Sequence, residues 1–513
     1  MSSLARAATT VGAALILFST VSLAQRGGQD WTTGGNDAQR SNWLRNDPKI
    51  SPESMAKPGF ELLWKVKLNN VSRQMNAITQ PALLDFYITH RGFRALGFVG
   101  GSSDIVTAID TDLSRVEWET KIGSGAPAAA STVQCPGGMT STVARITPLL
   151  MAPAAAFSRG RSNPPKSEVG EPGEGAVTLK AVRPPQNFGA APGAAANNTK
   201  GGRRGATPAA GPFTRGPSYV YALSSDGKLH LMYVTNGAEP KPGIPFLPAN
   251  AHARGLMVFD GTAYVATVNG CGGVENGIWA LDLESHKVSQ WKSASGNVVG
   301  TDGFAVGPDG TIFVAAGNEL VALDSETLTQ KGSYKSGGAT FTSSPLVFDF
   351  KGKNAIAATT NDGKLHIVEA AGMTLLGSGD AGSGNYAVGA LTSWQEVGGT
   401  RWILVPSATK VSAWKVTDNG GIAALAPGWT SRELVLPIAP AVVNGVVFAA
   451  SSGKRGVPAV LYALEGTTGK ALWNSGKSIT SFVTTGGLSA GGSRVYLSTH
   501  DGTQYAFGVP IEH

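Results

Sequence analysis

Asp226-Gly227-Lys228-Leu229-His230 and Asp362-Gly363-Lys364-Leu365-His366 are one pentapeptide written twice. Asp501-Gly502-Thr503-Gln504-Tyr505 is a third, looser copy. Each copy lies between two apolar, alternating runs. Asp-Gly tolerates the positive φ of a two-residue hairpin turn, so each copy predicts strand, turn, strand. The strand after the turn has its own pattern. Leu461-Tyr462-Ala463-Leu464-Glu465 runs through Gly466-Thr467-Thr468-Gly469-Lys470 to Trp473. Ala108-Ile109-Asp110 leads to Trp118, Ala280-Leu281-Asp282 leads to Trp291, and Ala322-Leu323-Asp324 has the same start without a Trp. The unit is therefore an apolar strand, an acidic residue, a turn, and a further strand that carries an aromatic anchor.

Aligning these strands gives eight anchor positions: Ala108, Leu231, Ala280, Ala322, Ile367, Ala413, Ala463 and Ala506. From Leu231 onward the spacings are 49, 42, 45, 46, 50 and 43 residues. The first spacing is 123, which falls to 58 once the segment 152–216 is set aside. A period of about 40 to 50 residues with four strands per repeat is the signature of a propeller blade. The predicted fold is all-β: an eight-bladed β-propeller with four-stranded blades over residues 60–513. The eighth blade lacks its outer strand, and residues 60–68, a strand carrying Trp64, supply it. That closes the ring with the N-terminal strand and removes an exposed edge. Trp64, Trp118, Trp291 and Trp473 are the expected blade-docking residues. The paired His230 and His366 repeat at equivalent strand positions, which points to packing.

Ala-Leu-Asp/Glu, a Thr-Gly-Lys turn and a Trp ten residues on, as in Ala463 to Trp473, resemble the tryptophan-docking motif of propellers of the pyrroloquinoline-quinone (PQQ) type. The opening Asp30-Trp31-Thr32-Thr33-Gly34-Gly35-Asn36-Asp37-Ala38-Gln39-Arg40 is similar to the start of such proteins. The resemblance covers nearly all of the chain after the leader except 152–216. It implies the eight-bladed fold and two functional classes: quinoprotein dehydrogenases that use PQQ with calcium, and outer-membrane assembly-factor propellers that bind proteins. The dehydrogenases carry an adjacent Cys-Cys pair beside the quinone. This chain has two Cys, Cys135 and Cys271, and they are not adjacent.

Arg6, the apolar stretch from Val11 to Phe18 and Ser22-Leu23-Ala24 predict a signal peptide over 1–24, with Gln25 opening the mature chain. The stretch is too short to span a bilayer. A periplasmic or secreted protein with no transmembrane segment is expected, with residues 25–59 as an N-terminal extension. Lys and Arg number 42 against 35 Asp and Glu, a net charge of +7. Segment 152–216 holds nine of those cations against three Glu, so nearly all the excess sits there. A folded body with balanced charge argues against nucleic acid as a partner. The segment is rich in Ala, Pro, Gly and Asn and is expected to be a disordered insertion within blade two.

Two Cys exclude a covalent c-type haem and a Cys-rich zinc site. Cys135 falls in the link into blade two and Cys271 between the second and third strands of blade three. Both loops lie on one propeller face, so a disulfide is a candidate, with two separate thiols as the other reading. The loops leading into the inner strands share that face. They carry Arg73, His252, Arg254, Asn297, Asp302, Asn385 and Tyr386, the candidate ligand-binding ring at the channel mouth. Taken singly, each is an ordinary solvated loop residue. No catalytic residue and no metal ligand is assigned. The expected function is a monomeric scaffold that binds a protein or small-molecule ligand at the channel face. The alternative is a PQQ- and calcium-dependent oxidoreductase acting on alcohols or sugars.

Overall fold

A computed structural model describes residues 29–89, 92–123, 131–149, 218–382, 388–484 and 486–510. The predicted signal peptide and the insertion 152–216 lie outside them. Blade one is the antiparallel meander Ala82–Thr89, Gly92–Val99, Ile105–Asp110 and Arg115–Lys121. Blades three to seven repeat it over residues 252–292, 304–335, 346–380, 392–430 and 441–474. In blade two, Ala144 holds the inner-strand place through paired bonds with Tyr221, beside Tyr219–Leu223, Lys228–Tyr233 and Ile244–Pro245. Blade eight takes Leu488–Gly491, Arg494–Ser498 and Thr503–Gly508 from the end of the chain and Glu61–Lys67 from its beginning. Trp64 pairs with Ala506 and Lys67 with Thr503, so the N-terminal strand closes the ring as its spacing predicts.

Burial follows strand position. Phe304–Val306 and Ile312–Ala316 are buried throughout, whereas the outer strand Arg115–Lys121 buries only Trp118. Inner strands have neighbours on both faces and read as continuous apolar runs. Outer strands face water, which accounts for their Lys and Glu. All four predicted docking tryptophans stand on outer strands: Trp118 is buried, while Trp64, Trp291 and Trp473 are half-buried. Trp118 donates its Nε1–H to the Val234 carbonyl of blade two at 2.9 Å, and Trp64 donates to Thr111 of blade one at 3.0 Å. Trp473 meets Phe60 and Phe507 of blade eight at centroid distances of 4.9 and 5.5 Å. Trp429, which the anchor pattern passed over, is buried and donates to Gly466 of blade seven at 2.7 Å.

Residues 31–47 run through the central channel and touch every blade in chain order. The Trp31, Thr32, Ala38, Gln39, Ser41 and Asn42 carbonyls accept from backbone N–H groups of Leu83, Arg145, Val306, Val347, Ser393 and Val442, in blades one, two, four, five, six and seven. Thr33 Oγ1 donates to the Leu256 carbonyl of blade three at 2.7 Å. Trp43 and Leu44 then pair in parallel with Val442 and Val443 of blade seven. The Asp47 carboxylate accepts from the Ser493 N–H and hydroxyl of blade eight at 2.8 and 2.9 Å. Inner strands of a propeller leave unpaired backbone groups facing the channel, and this segment satisfies one or more from each blade.

Candidate functional site

The Asp-Gly turns join second strands to third strands, so they mark one face of the ring. The loops that lead into the inner strands open on the same face, and the channel segment forms the floor beneath them. At its centre are Gly34 and Gly35, the latter with φ of 74°. A Cβ on Gly34 would lie 3.2 Å from Gln80 Nε2, 3.4 Å from Thr142 Oγ1 and 3.7 Å from Asp302 Oδ1. Three polar ends from blades one, two and four therefore converge on a floor that has no side chain. Thr142 Oγ1 and Ser141 Oγ are buried and find no hydrogen-bond partner among the described residues. The Gln80 carbonyl oxygen is held by the Gly487 N–H at 2.5 Å, which presents its amide nitrogen.

Asp302 is the acid of this cup. Burial pushes its carboxyl upward, and the guanidiniums of Arg40 and Arg254 pull it back. Arg40 rises from the floor: it is buried, donates to the Phe304 and Gly255 carbonyls at 2.8 Å each, and is lowered by burial to about 10. Arg254 donates to the Gly300 carbonyl at 2.6 Å, and its pKa is also lowered by burial. His252 donates from Nδ1 to the Gln134 carbonyl at 2.6 Å. Burial first, and then the Arg254 charge, push it down to about 4, so it is neutral at pH 7. Cys135, next to Gln134, is joined to Cys271 with Cα atoms 5.5 Å apart. Asn297 pairs with Asn269, which in turn donates to the Gln134 carbonyl at 2.9 Å. Arg73 is half-buried, and its buried Nε has no partner among the described residues. Asn385 and Tyr386 lie outside the described residues. The structure thus brings Arg254 and Asp302 together with Arg40 and puts His252 and Asn297 beside the disulfide. Arg40, Gly34, Gln80 and Thr142 are additions to the predicted ring.

A second constellation has catalytic distances. Ser224 Oγ lies 3.1 Å from His230 Nε2, and His230 Nδ1 lies 3.0 Å from Glu239 Oε1. A nucleophilic serine needs an open path to substrate and oxyanion donors nearby. Ser224 is buried and its hydroxyl also faces Asp226 and the Lys228 carbonyl. In blade five Thr360 stands 3.1 Å from His366 Nε2, and Tyr334 takes the place of the acid at 3.0 Å from Nδ1. An arrangement that recurs with Thr for Ser and Tyr for Glu is turn and blade packing.

Among the described residues no group of three His, Cys, Asp or Glu side chains could hold a metal ion. Calcium takes six to eight oxygen ligands. Among the described residues the cup offers one carboxylate, Asp302, already opposed by two guanidiniums, and its cysteines join two separate loops. The donors present do not fit PQQ with calcium.

No protein-family model and no curated protein matches the chain in sequence. Solved structures do match in shape. Quinohemoprotein alcohol dehydrogenase from Comamonas testosteroni superposes with a TM-score of 0.60 at 14% identity, over 94% of this chain and 81% of that one. The Pseudomonas putida HK5 quinohemoprotein alcohol dehydrogenase gives 0.56 at 12%, over 94% and 81%. A europium-containing methanol dehydrogenase gives 0.58 at 10%, over 94% and 98%. Identities this low speak to fold and leave function to the site. The chain has the eight-bladed propeller fold of the quinohemoprotein alcohol dehydrogenases and methanol dehydrogenase, the fold that the spacing of its repeats implies.

Proposed function

We propose that the chain is a binding propeller that works outside the cytoplasm and holds a polar small molecule or protein segment in the cup above Gly34. The observation that carries this is the convergence of Gln80, Thr142 and Asp302 on a bare glycine floor, with Arg254 at the side. These groups supply directed hydrogen bonds and a cation, which is what recognition of a polar or anionic group needs. Export rests on the leader-like residues 1–24. Among the described residues, no helix is long and apolar enough to cross a membrane.

The test is a titration of the full chain with PQQ and calcium, followed by dye-linked oxidation of an alcohol and sugar panel. The binding reading expects no turnover that depends on calcium. Turnover abolished by calcium chelation replaces it with the oxidoreductase reading. A thermal-shift screen of small carboxylates and polyols then seeks the ligand. Thr142→Val and Arg254→Met should remove whatever shift the wild type shows.

A further inference from the structure

The face that opens above the Gly34 cup is charged in two different ways. Around blades two, three and five its lysines are answered locally. Lys228 pairs with Asp226 at 2.8 Å, Lys364 with Asp362 at 3.4 Å, and Lys292 with Glu275. Around blades six and seven the cations have no such answer. Lys410, Arg432, Lys454, Arg455 and Lys477 are all exposed in the loops of this face. Among the described residues none of the five is in an ion pair. Asp501 of blade eight is taken by Lys67 at 3.3 Å, which leaves Glu433 against them.

The five form one sector because the loops that carry them are bonded in series. Leu434 and Leu436 donate their N–H groups to the Thr409 and Ala408 carbonyls at 2.7 and 3.0 Å, which lays the link into blade seven on the Lys410 turn. Val435 donates to Ser451 Oγ at 2.8 Å. Val483 and Ala459 donate to the Ser452 and Ser481 carbonyls at 2.9 Å each, which ties the loop of Lys454 and Arg455 to the link into blade eight. Three exposed apolar side chains, Val435, Leu436 and Val457, stand among the cations. Leu436 is 45% exposed and holds a φ of 48°. Left-handed backbone favours Gly or Asn over leucine, and water favours a polar side chain.

We propose that this sector docks an acidic protein segment in which Asp or Glu alternates with apolar residues such as Leu. The acids answer the five cations, and the apolar side chains cover Val435, Leu436 and Val457. Complementary charge steers the encounter and sets its register. An apolar contact from the partner also offsets what Leu436 costs in water. A flat anionic surface such as a bilayer would press on the whole face, whose other half is already neutralised in its own pairs. A segment fits one sector. The site uses no residue of the Gly34 cup, so either can fail without the other.

Fluorescence anisotropy of a labelled peptide of Asp, Glu and Leu, titrated with the full chain, tests it. Wild type should bind saturably, and more weakly as salt rises from about 0.05 to 0.5 M. Lys454→Glu combined with Arg455→Glu should weaken binding about tenfold or more at low salt. Lys228→Glu combined with Lys364→Glu makes the same change of net charge on the other half and should leave affinity within about twofold. The cationic insertion 152–216 is present in all of these chains, so the difference between the two variants reads the face alone. Leu436→Asn suits the left-handed backbone. It should melt no lower than wild type and still bind the peptide more weakly. Equal losses in the two charge variants overturn the proposal, as does unchanged affinity in Lys454→Glu with Arg455→Glu or in Leu436→Asn. No binding of the peptide by wild type also overturns it, and retention of phosphatidylglycerol vesicles instead would make the partner a membrane.

Discussion

Blades two and five carry the same Asp-Gly-Lys-Leu-His turn and are held in different ways. In each, the hydroxyl two residues before the Asp faces the histidine Nε2, at 3.1 Å. The other histidine nitrogen finds Glu239 of its own blade in blade two and Tyr334 of the neighbouring blade in blade five. Blade two also receives Trp118 from blade one and is tied to blade three by the Cys135–Cys271 bond. Blade five receives Tyr334 in place of a docking Trp and keeps a cleft of about 500 Å3 beside it. Local sequence thus sets the turn, and the residue sent across by the adjacent blade decides what the turn is worth.

The sharpest way to break this contrast is Trp118→Ala. Removing a buried, hydrogen-bonded indole should cost about 3 to 5 kcal/mol. Denaturant unfolding measures it, and an unchanged midpoint would show that docking does not hold blade two. Replacing Cys135 and Cys271 together by Ala should cost roughly 2 to 4 kcal/mol. Mass analysis without reductant should find one disulfide and no alkylatable thiol, and two free thiols would remove this tie from the comparison.

Acid should act on blade five through His366. Burial holds its pKa below the usual value near 6.5. As pH falls, the unfolded chain therefore takes up the proton before the folded one does. Its contribution is complete above about pH 6.5 and is lost as pH drops through the window beneath. His366→Gln should flatten the fall in melting temperature there, and an unchanged slope would count against this assignment. The smallest effect belongs to Ser224→Ala, with a stability loss of about 1 kcal/mol or less. A fluorophosphonate probe should leave Ser224 unlabelled in the wild type. Labelling would turn the blade-two constellation from packing into catalysis.

The blades were legible because strand period, Asp-Gly turns and aromatic anchors recur, and recurrence survives weak individual signals. Ring closure followed from Trp64 standing in a strand with no local partner. The cup was only partly legible. Arg254, Asp302 and His252 announce themselves as charged or titratable loop residues, whereas Gln80, Thr142 and Gly34 look like any others until the ring brings them together. Of these, only Gly34 carried a sequence signal, the opening stretch Asp30 to Arg40, whose resemblance marked it without saying where it goes. Trp429 escaped because the long hairpin Val411–Asn419 and Ile422–Thr430 carries its anchor farther from Ala413 than the usual spacing.

The channel segment has a consequence for how this architecture can vary. Propellers grow and shrink by whole blades, since each repeat contacts mainly its two neighbours. Here seventeen residues, 31–47, spell out the blades in order, from Leu83 in the first to Ser493 in the eighth. Adding or deleting a blade would shift every later bond by one partner. The segment therefore works as a gauge of blade number. It also makes a modular ring into an object whose beginning must wait for its end: Asp47 meets a partner 446 residues away, and contacts of such separation form late and slowly.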